Sequence, residues 1–257
     1  MQITKKIDLS QDNKRIIFTE RQHAWAKFAV LMGFGVYFAY NILTGNLTNY
    51  VNIRFAWFSY VAVGILFLLG GAVLYGLLRQ KRAEKVTIGH QLNVSWSVLA
   101  IVSLPLVFGT LIPSQPLGAA AVQGNISLSA TNFNTATAFN LAPIDRNVLD
   151  WLRVFNQDVP SAFDGLPADL TGFVYREPGF GADHFMVARF TLSCCVADAS
   201  AIGVPVYLAG SDNIVDGEWI QVEGAFLAAD FRGTTTPILM AENVTIIDQP
   251  EHPYLYP

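Results

Sequence analysis

The run FAWFSYVAVGILFLLGGAVLYGLL, residues 55–78, holds no charged side chain and decides the class of this chain. A helix needs about 20 predominantly apolar residues to cross a hydrocarbon core about 30 Å thick, and this run supplies them. Two more apolar runs flank it: residues 28–44 (FAVLMGFGVYFAYNILT) and residues 94–112, the latter uncharged and interrupted by Pro105. Buried helices of soluble proteins are also apolar, but three in succession with charged links between them predict membrane spans. The first run follows a long positive leader and is succeeded by Asn41, Thr44 and Asn46 rather than a small-residue cleavage site, so it reads as a span and not a removed signal.

Charge divides the chain at the same boundary. Residues 1–113 carry eleven Lys/Arg against four acids, a net of +7, whereas residues 114–257 carry five Arg, no Lys and sixteen acids, a net of −11. The basic residues gather before the first run and in the link 79–93, and the 45–54 link has only Arg54. The positive-inside rule then puts the N-terminus and the 79–93 loop in the cytoplasm, so three crossings would carry the acidic C-terminal part outside. A lysine-free, strongly acidic domain excludes nucleic-acid binding through phosphates. The second and third runs hold no Asp, Glu, Lys or Arg, so this chain alone shows no intramembrane ion pathway. Ala29/Gly33 and Ala72/Gly76 have the small-xxx-small spacing that permits close helix contact.

Residues 114–143 are small, polar and without strong periodicity, which predicts a tether. Beyond them Asp145 or Asn147 can cap a short helix whose apolar face holds Val148, Leu149, Trp151, Leu152 and Phe155. The pattern then turns to β-branched and aromatic runs at 170–176, 184–193, 204–210, 218–228 and 236–247, bounded by Gly, Asp and Pro clusters. Five short strands with a helical turn or two predict a mainly-β domain over 144–257, a small OB-like barrel. Glycines in GFVY and WIQVEGAF suit sharply coiled strands.

The chain has two cysteines, adjacent at Cys194 and Cys195 in RFTLSCCVADA. Three readings fit. Neighbours on a strand point to opposite faces, so one thiol can be core and the other semi-exposed. A disulfide between neighbours would be strained, since their Cα atoms sit about 3.8 Å apart against the usual ~4.4–6.8 Å, and would suit a redox switch. As metal ligands both thiolates can serve one ion if the chain leaves the strand there, with Asp198 as a hard ligand and Asp183 or His184 arriving only through tertiary folding; such a set suits Zn²⁺ or another transition metal. Zinc-finger spacing, a CxxC motif, a phosphate loop and a Ser-His-Asp constellation are all missing from the sequence.

The helix VLDWLRVF (148–155), LTGFVY (170–175), ARFTLSCCVADASAIGVPV (188–206), GEWIQVEGAF (217–226) and the ending HPYLYP (252–257) together resemble the YcgQ-like family, subunits of two-component permeases with N-terminal spans followed by such a domain. The resemblance covers nearly the whole chain. It implies a polytopic permease as membrane partner, with metal-related transport one suggestion, and its motif falls on Arg189, Cys194, Cys195, Ala197, Asp198 and Ala199.

The expectation is therefore a multi-pass protein of the cell membrane. It would be a non-enzymatic accessory subunit of a permease, taking or passing on a metal ion through Cys194, Cys195, Asp198 and His184. An extracytoplasmic thiol-redox protein and a scaffolding module with structural cysteines are the alternatives.

Overall fold

A computed structural model describes residues 9–80, 95–122, 126–128 and 140–257. The described residues form two compact units. One takes the helices up to Leu47 and Arg54–Ser114; the other takes Thr48–Ile53 together with Gln115–Pro257.

The first unit is helical: α1 (Leu9–Leu43), α2 (Trp57–Gln80) and α3 (Trp96–Leu111), with α1 packed against both others. Two stretches, Arg21–Leu43 and Ile53–Arg79, are long and apolar enough to cross a membrane. The third expected run is helical as well, but shorter: α3 runs for 16 described residues, about 24 Å at 1.5 Å per residue, against a hydrocarbon core of about 30 Å. It stops at Leu111 because Ile112 is already extended, one residue before Pro113. The basic link beyond Gln80, with His90 and Val94, lies outside the described residues. Of the small residues, Gly33 brings α1 onto Leu106 of α3 and Gly70 brings α2 onto Met32 of α1, whereas Gly76 faces open space.

The second unit is a six-stranded sheet, β1 (Pro167–Tyr175), β2 (His184–Thr191), β3 (Ser200–Tyr207), β4 (Trp219–Phe231), β5 (Thr234–Ile246) and β6 (Tyr254–Leu255), preceded by α4 (Val148–Phe155). Its order is β1-β4-β5-β3-β2-β6, and β1 also pairs with β2, so the pairings return to their starting strand. All neighbours are antiparallel except β3–β5 and β2–β6. All five expected strands are present, with shifted ends. β4 and β5 run on into a two-residue hairpin at Arg232 (φ 58) and Gly233 (φ 75), the positive-φ pair that matches the twist of tight hairpins. Opposite Glu223 and Gly224 the register shifts by one, with Glu242 the extra residue of a bulge on β5.

Both faces of β2 are buried, each against its own hydrophobic cluster. On one, Asn147 caps α4 by accepting from the N–H groups of Leu149 and Asp150, worth about 1 kcal/mol. The helix then lays Leu149, Trp151 and Leu152 against Val174, Phe185, Val187, Val204 and Val222. Trp151 meets Phe226 edge-on at 4.6 Å between centroids; such a pair adds about 0.5–1.5 kcal/mol beyond burial. On the other face Met186, Ala188, Phe190 and Leu192 form a second cluster with Phe173, Ile238 and Tyr254. Part of the expected tether covers it: Leu117, Val122, Ile126 and Leu128 pack there, and Ser127 bridges Ile202. Residues 123–125 and 129–139 lie outside the described residues.

Candidate functional site

Beyond Thr191 the chain leaves β2 and turns through Ser193–Asp198 into a short 3₁₀ turn, Val196–Asp198, before β3 begins at Ser200. Asp198 organises this turn. Its Oδ1 accepts from the Ser193 N–H at 2.9 Å, and its Oδ2 accepts from the Cys194 N–H at 2.7 Å and, more weakly, from the Cys195 N–H at 3.4 Å. A carboxylate gathering backbone N–H groups is a strong, charge-assisted cap. Burial opposes its charge, but the hydrogen bonds from the Cys194 thiol and from these N–H groups prevail and hold Asp198 below the usual carboxylate range.

Both cysteines are free thiols, Cys194 exposed and Cys195 half-buried. Neither is core, so the packing reading of the pair does not describe this turn. Their sulfurs lie 3.7 Å apart, and the two Sγ atoms and an Asp198 oxygen all fall within 4.8 Å of one another. Two sulfurs bound at ~2.3 Å to one tetrahedral zinc stand about 3.8 Å apart. The sulfur spacing of this turn is close to that value, so Cys194, Cys195 and Asp198 are the residues that could hold a single thiophilic ion. The hydrogen bond to Asp198, with a second to Cys195, pushes the Cys194 thiol up to about 11.

His184 does not join this cluster. It opens β2 while the cysteines follow its far end, and seven strand rises separate His184 from Thr191 by roughly 23 Å. Its ring packs instead on Tyr207 and near Phe231. Asp183 is occupied locally, accepting from the Gly210 N–H at 2.8 Å. Of the remaining motif positions, Ala197 is exposed in the turn and Ala199 packs on the second cluster. Arg189 lies within the sheet and is 7% exposed. Its guanidinium donates to the carbonyls of Thr171 (3.3 Å) and His252 (2.7 Å) and rests over the Trp219 ring at 5.1 Å. Burial brings it down to about 10, still protonated at neutral pH. Its place is that of a structural tie between β1, β2 and the C-terminal segment.

Sequence reasoning did not find the segment that flanks the turn. Val51 forms an antiparallel bridge with Cys195, and the Val196 N–H donates to the Tyr50 carbonyl. Asn52, 1% exposed, donates its backbone N–H to the Cys194 carbonyl at 3.0 Å. Its side-chain amide donates to the carbonyls of Leu192 (3.1 Å) and Ser193 (2.8 Å).

These features define a protein with an apolar helical N-terminal part and a β domain that presents a vicinal-thiol turn. The chain belongs to the DUF1980 family: the DUF1980 N-terminal domain matches residues 26–126 and the DUF1980 C-terminal domain matches residues 122–257. It is 22% identical to "UPF0703 protein YcgQ" of Bacillus subtilis, over 90% of this chain and 98% of that one. It is 20% identical to "Putative two-component membrane permease complex subunit" of Streptococcus mutans, again over 90% and 98% of the two chains. Among solved structures, a small single-stranded DNA-binding protein from Streptomyces coelicolor aligns at 11% identity with a TM-score of 0.24, covering 33% of this chain and 94% of its own; a likeness that weak carries no argument.

Proposed function

We propose that this protein is a membrane-anchored accessory subunit of a two-component permease, non-enzymatic itself, whose outer domain takes a thiophilic transition-metal ion, Zn²⁺ first among them, on Cys194, Cys195 and Asp198. The permease partnership rests on the Streptococcus mutans relative, whose name describes a subunit of such a complex. The ion reading rests on one observation, the 3.7 Å between the two sulfurs with a carboxylate beside them. The cyclic strand pairing with a parallel β3–β5 contact supports an OB-like barrel for residues 144–257. α3 serves as the third crossing. Thr48–Ile53, the link between α1 and α2, folds with the sheet, so link and domain share one side of the bilayer. The basic residues of the N-terminus and the 79–93 link make that side extracytoplasmic.

The test is the full chain purified anaerobically in detergent, with bound metals measured by mass spectrometry, beside a Cys194→Ser/Cys195→Ser double variant. A near-stoichiometric ion lost in the folded double variant supports the reading. No ion after incubation with Zn²⁺ removes it and leaves a scaffolding domain.

A further inference from the structure

The thiol turn is an irregular segment, and most of what holds it comes from 140 residues earlier in the chain. Beyond its internal cap at Asp198, its backbone is tied on one side by residues 50–52: the Tyr50 carbonyl takes the Val196 N–H, Val51 bridges Cys195, and Asn52 closes on three successive carbonyls, Leu192, Ser193 and Cys194. The side-chain amide takes the Leu192 and Ser193 carbonyls and the backbone N–H takes that of Cys194, and together they fix the peptide planes that set where the two Cβ–Sγ bonds point. Loss of that amide would leave two carbonyls without this donor, the one at Leu192 in a buried place, and the turn would re-form to hydrate it.

We propose that Asn52 is a positioning residue of the site: from the link between α1 and α2 it holds Cys194 and Cys195 in the geometry in which both sulfurs reach one ion. The inference rests on the metal reading above. It adds that the ion site belongs to two separate stretches of chain, so that a fragment beginning at residue 144 carries the ligands without their support.

The experiment uses the full chain in detergent micelles, as wild type, Asn52→Ala, Asn52→Ser and Cys194→Ser, with circular dichroism as the check on folding. Cd²⁺ is titrated and the thiolate-to-cadmium charge-transfer absorption followed. In parallel, phenylarsine oxide, which condenses with two neighbouring thiols and releases water, measures whether the sulfurs stand ready for one acceptor without any metal. Cys194→Ser abolishes both signals. Asn52→Ala is expected to weaken Cd²⁺ binding about 10- to 100-fold, as loss of groups behind metal ligands does, and to slow arsenical trapping. Serine, smaller and still polar, keeps the test alive if alanine does not fold. Wild-type affinity and trapping rate in a folded Asn52 variant would overturn the proposal. If the wild type shows no cadmium band, the metal reading fails by itself; the trapping rates still decide the positioning role, slower trapping sustaining it and equal rates overturning it.

Discussion

A Cβ placed on Gly224 would run into the carbonyl oxygen of Met240, the residue before its cross-strand partner Ala241 at the β4–β5 bulge. No side chain fits there, and the obstacle is backbone that is itself part of the ladder. Gly224→Ala should therefore destabilise the β domain by about 1–3 kcal/mol, the range for overpacking a filled site. Thermal unfolding of the full chain in detergent measures it, and an unchanged melting temperature would refute the close approach.

Asp198 and Cys194 are linked through their protons. The hydrogen bond from thiol to carboxylate favours the protonated thiol, so it is present at neutral pH and lost as pH rises through about 11. Asp198→Asn removes the charge that raises the thiol, and the pH midpoint of Cys194 alkylation should fall toward the ordinary thiol range, ~8.5. For Asp198, whose folded value is lowered, the stabilisation is full above the unfolded value of 3.8 and disappears as pH falls through the folded one. Iodoacetamide rates against pH, with Cys195→Ser as background, give the midpoint; an unmoved midpoint would detach the thiol from the carboxylate.

Arg189 spans the carbonyls of Thr171 and His252 from a buried position. Lysine keeps the charge but cannot reach two carbonyls with a planar fork. Arg189→Lys should cost about 1.5–3 kcal/mol, the worth of a charged hydrogen bond, and should free the segment around His252. Carboxypeptidase digestion reads the second effect, with faster trimming expected in the variant.

Tyr254 joins three segments through one hydroxyl, accepting from the Leu117 N–H at 2.7 Å and donating to the Asn49 carbonyl at 3.0 Å. Tyr254→Phe keeps the ring in the second cluster and strands both partners. A loss of about 1–3 kcal/mol is expected, with faster hydrogen exchange at Leu117 while α4 keeps its protection. Equal acceleration throughout the domain would mean global rather than local loosening.

The strands were legible because residues such as Val204 and Val206 alternate between Gly and Pro punctuation, and the helix because Asn147 announces its cap. The hairpin was not, since Arg232 at positive φ carries no Asn-Gly signature and the strands read as ending early. Nor was β6, two residues long. In the site, Cys194, Cys195 and Asp198 were legible together because a turn of five residues keeps them together whatever the rest does. His184 was misleading because nearness in sequence becomes distance once the intervening residues extend. Asn52 carried no local signal: an Asn in a short polar link looks like a turn residue, and its partners lie 140 and 141 positions away.

That separation also sets an order of manufacture. A ribosome adding roughly 5–20 residues per second completes Leu192 about 7–28 s after Asn52, with α2 and α3 translated in between. Residues 50–52 are therefore made well before the carbonyls they bind, and the thiol turn is closed by Asn52 only once β2 has been made. Closure of the turn by residues 50–52 is thus a late event in biogenesis, and a chain stalled before Leu192 would not yet hold the carbonyls on which Asn52 closes.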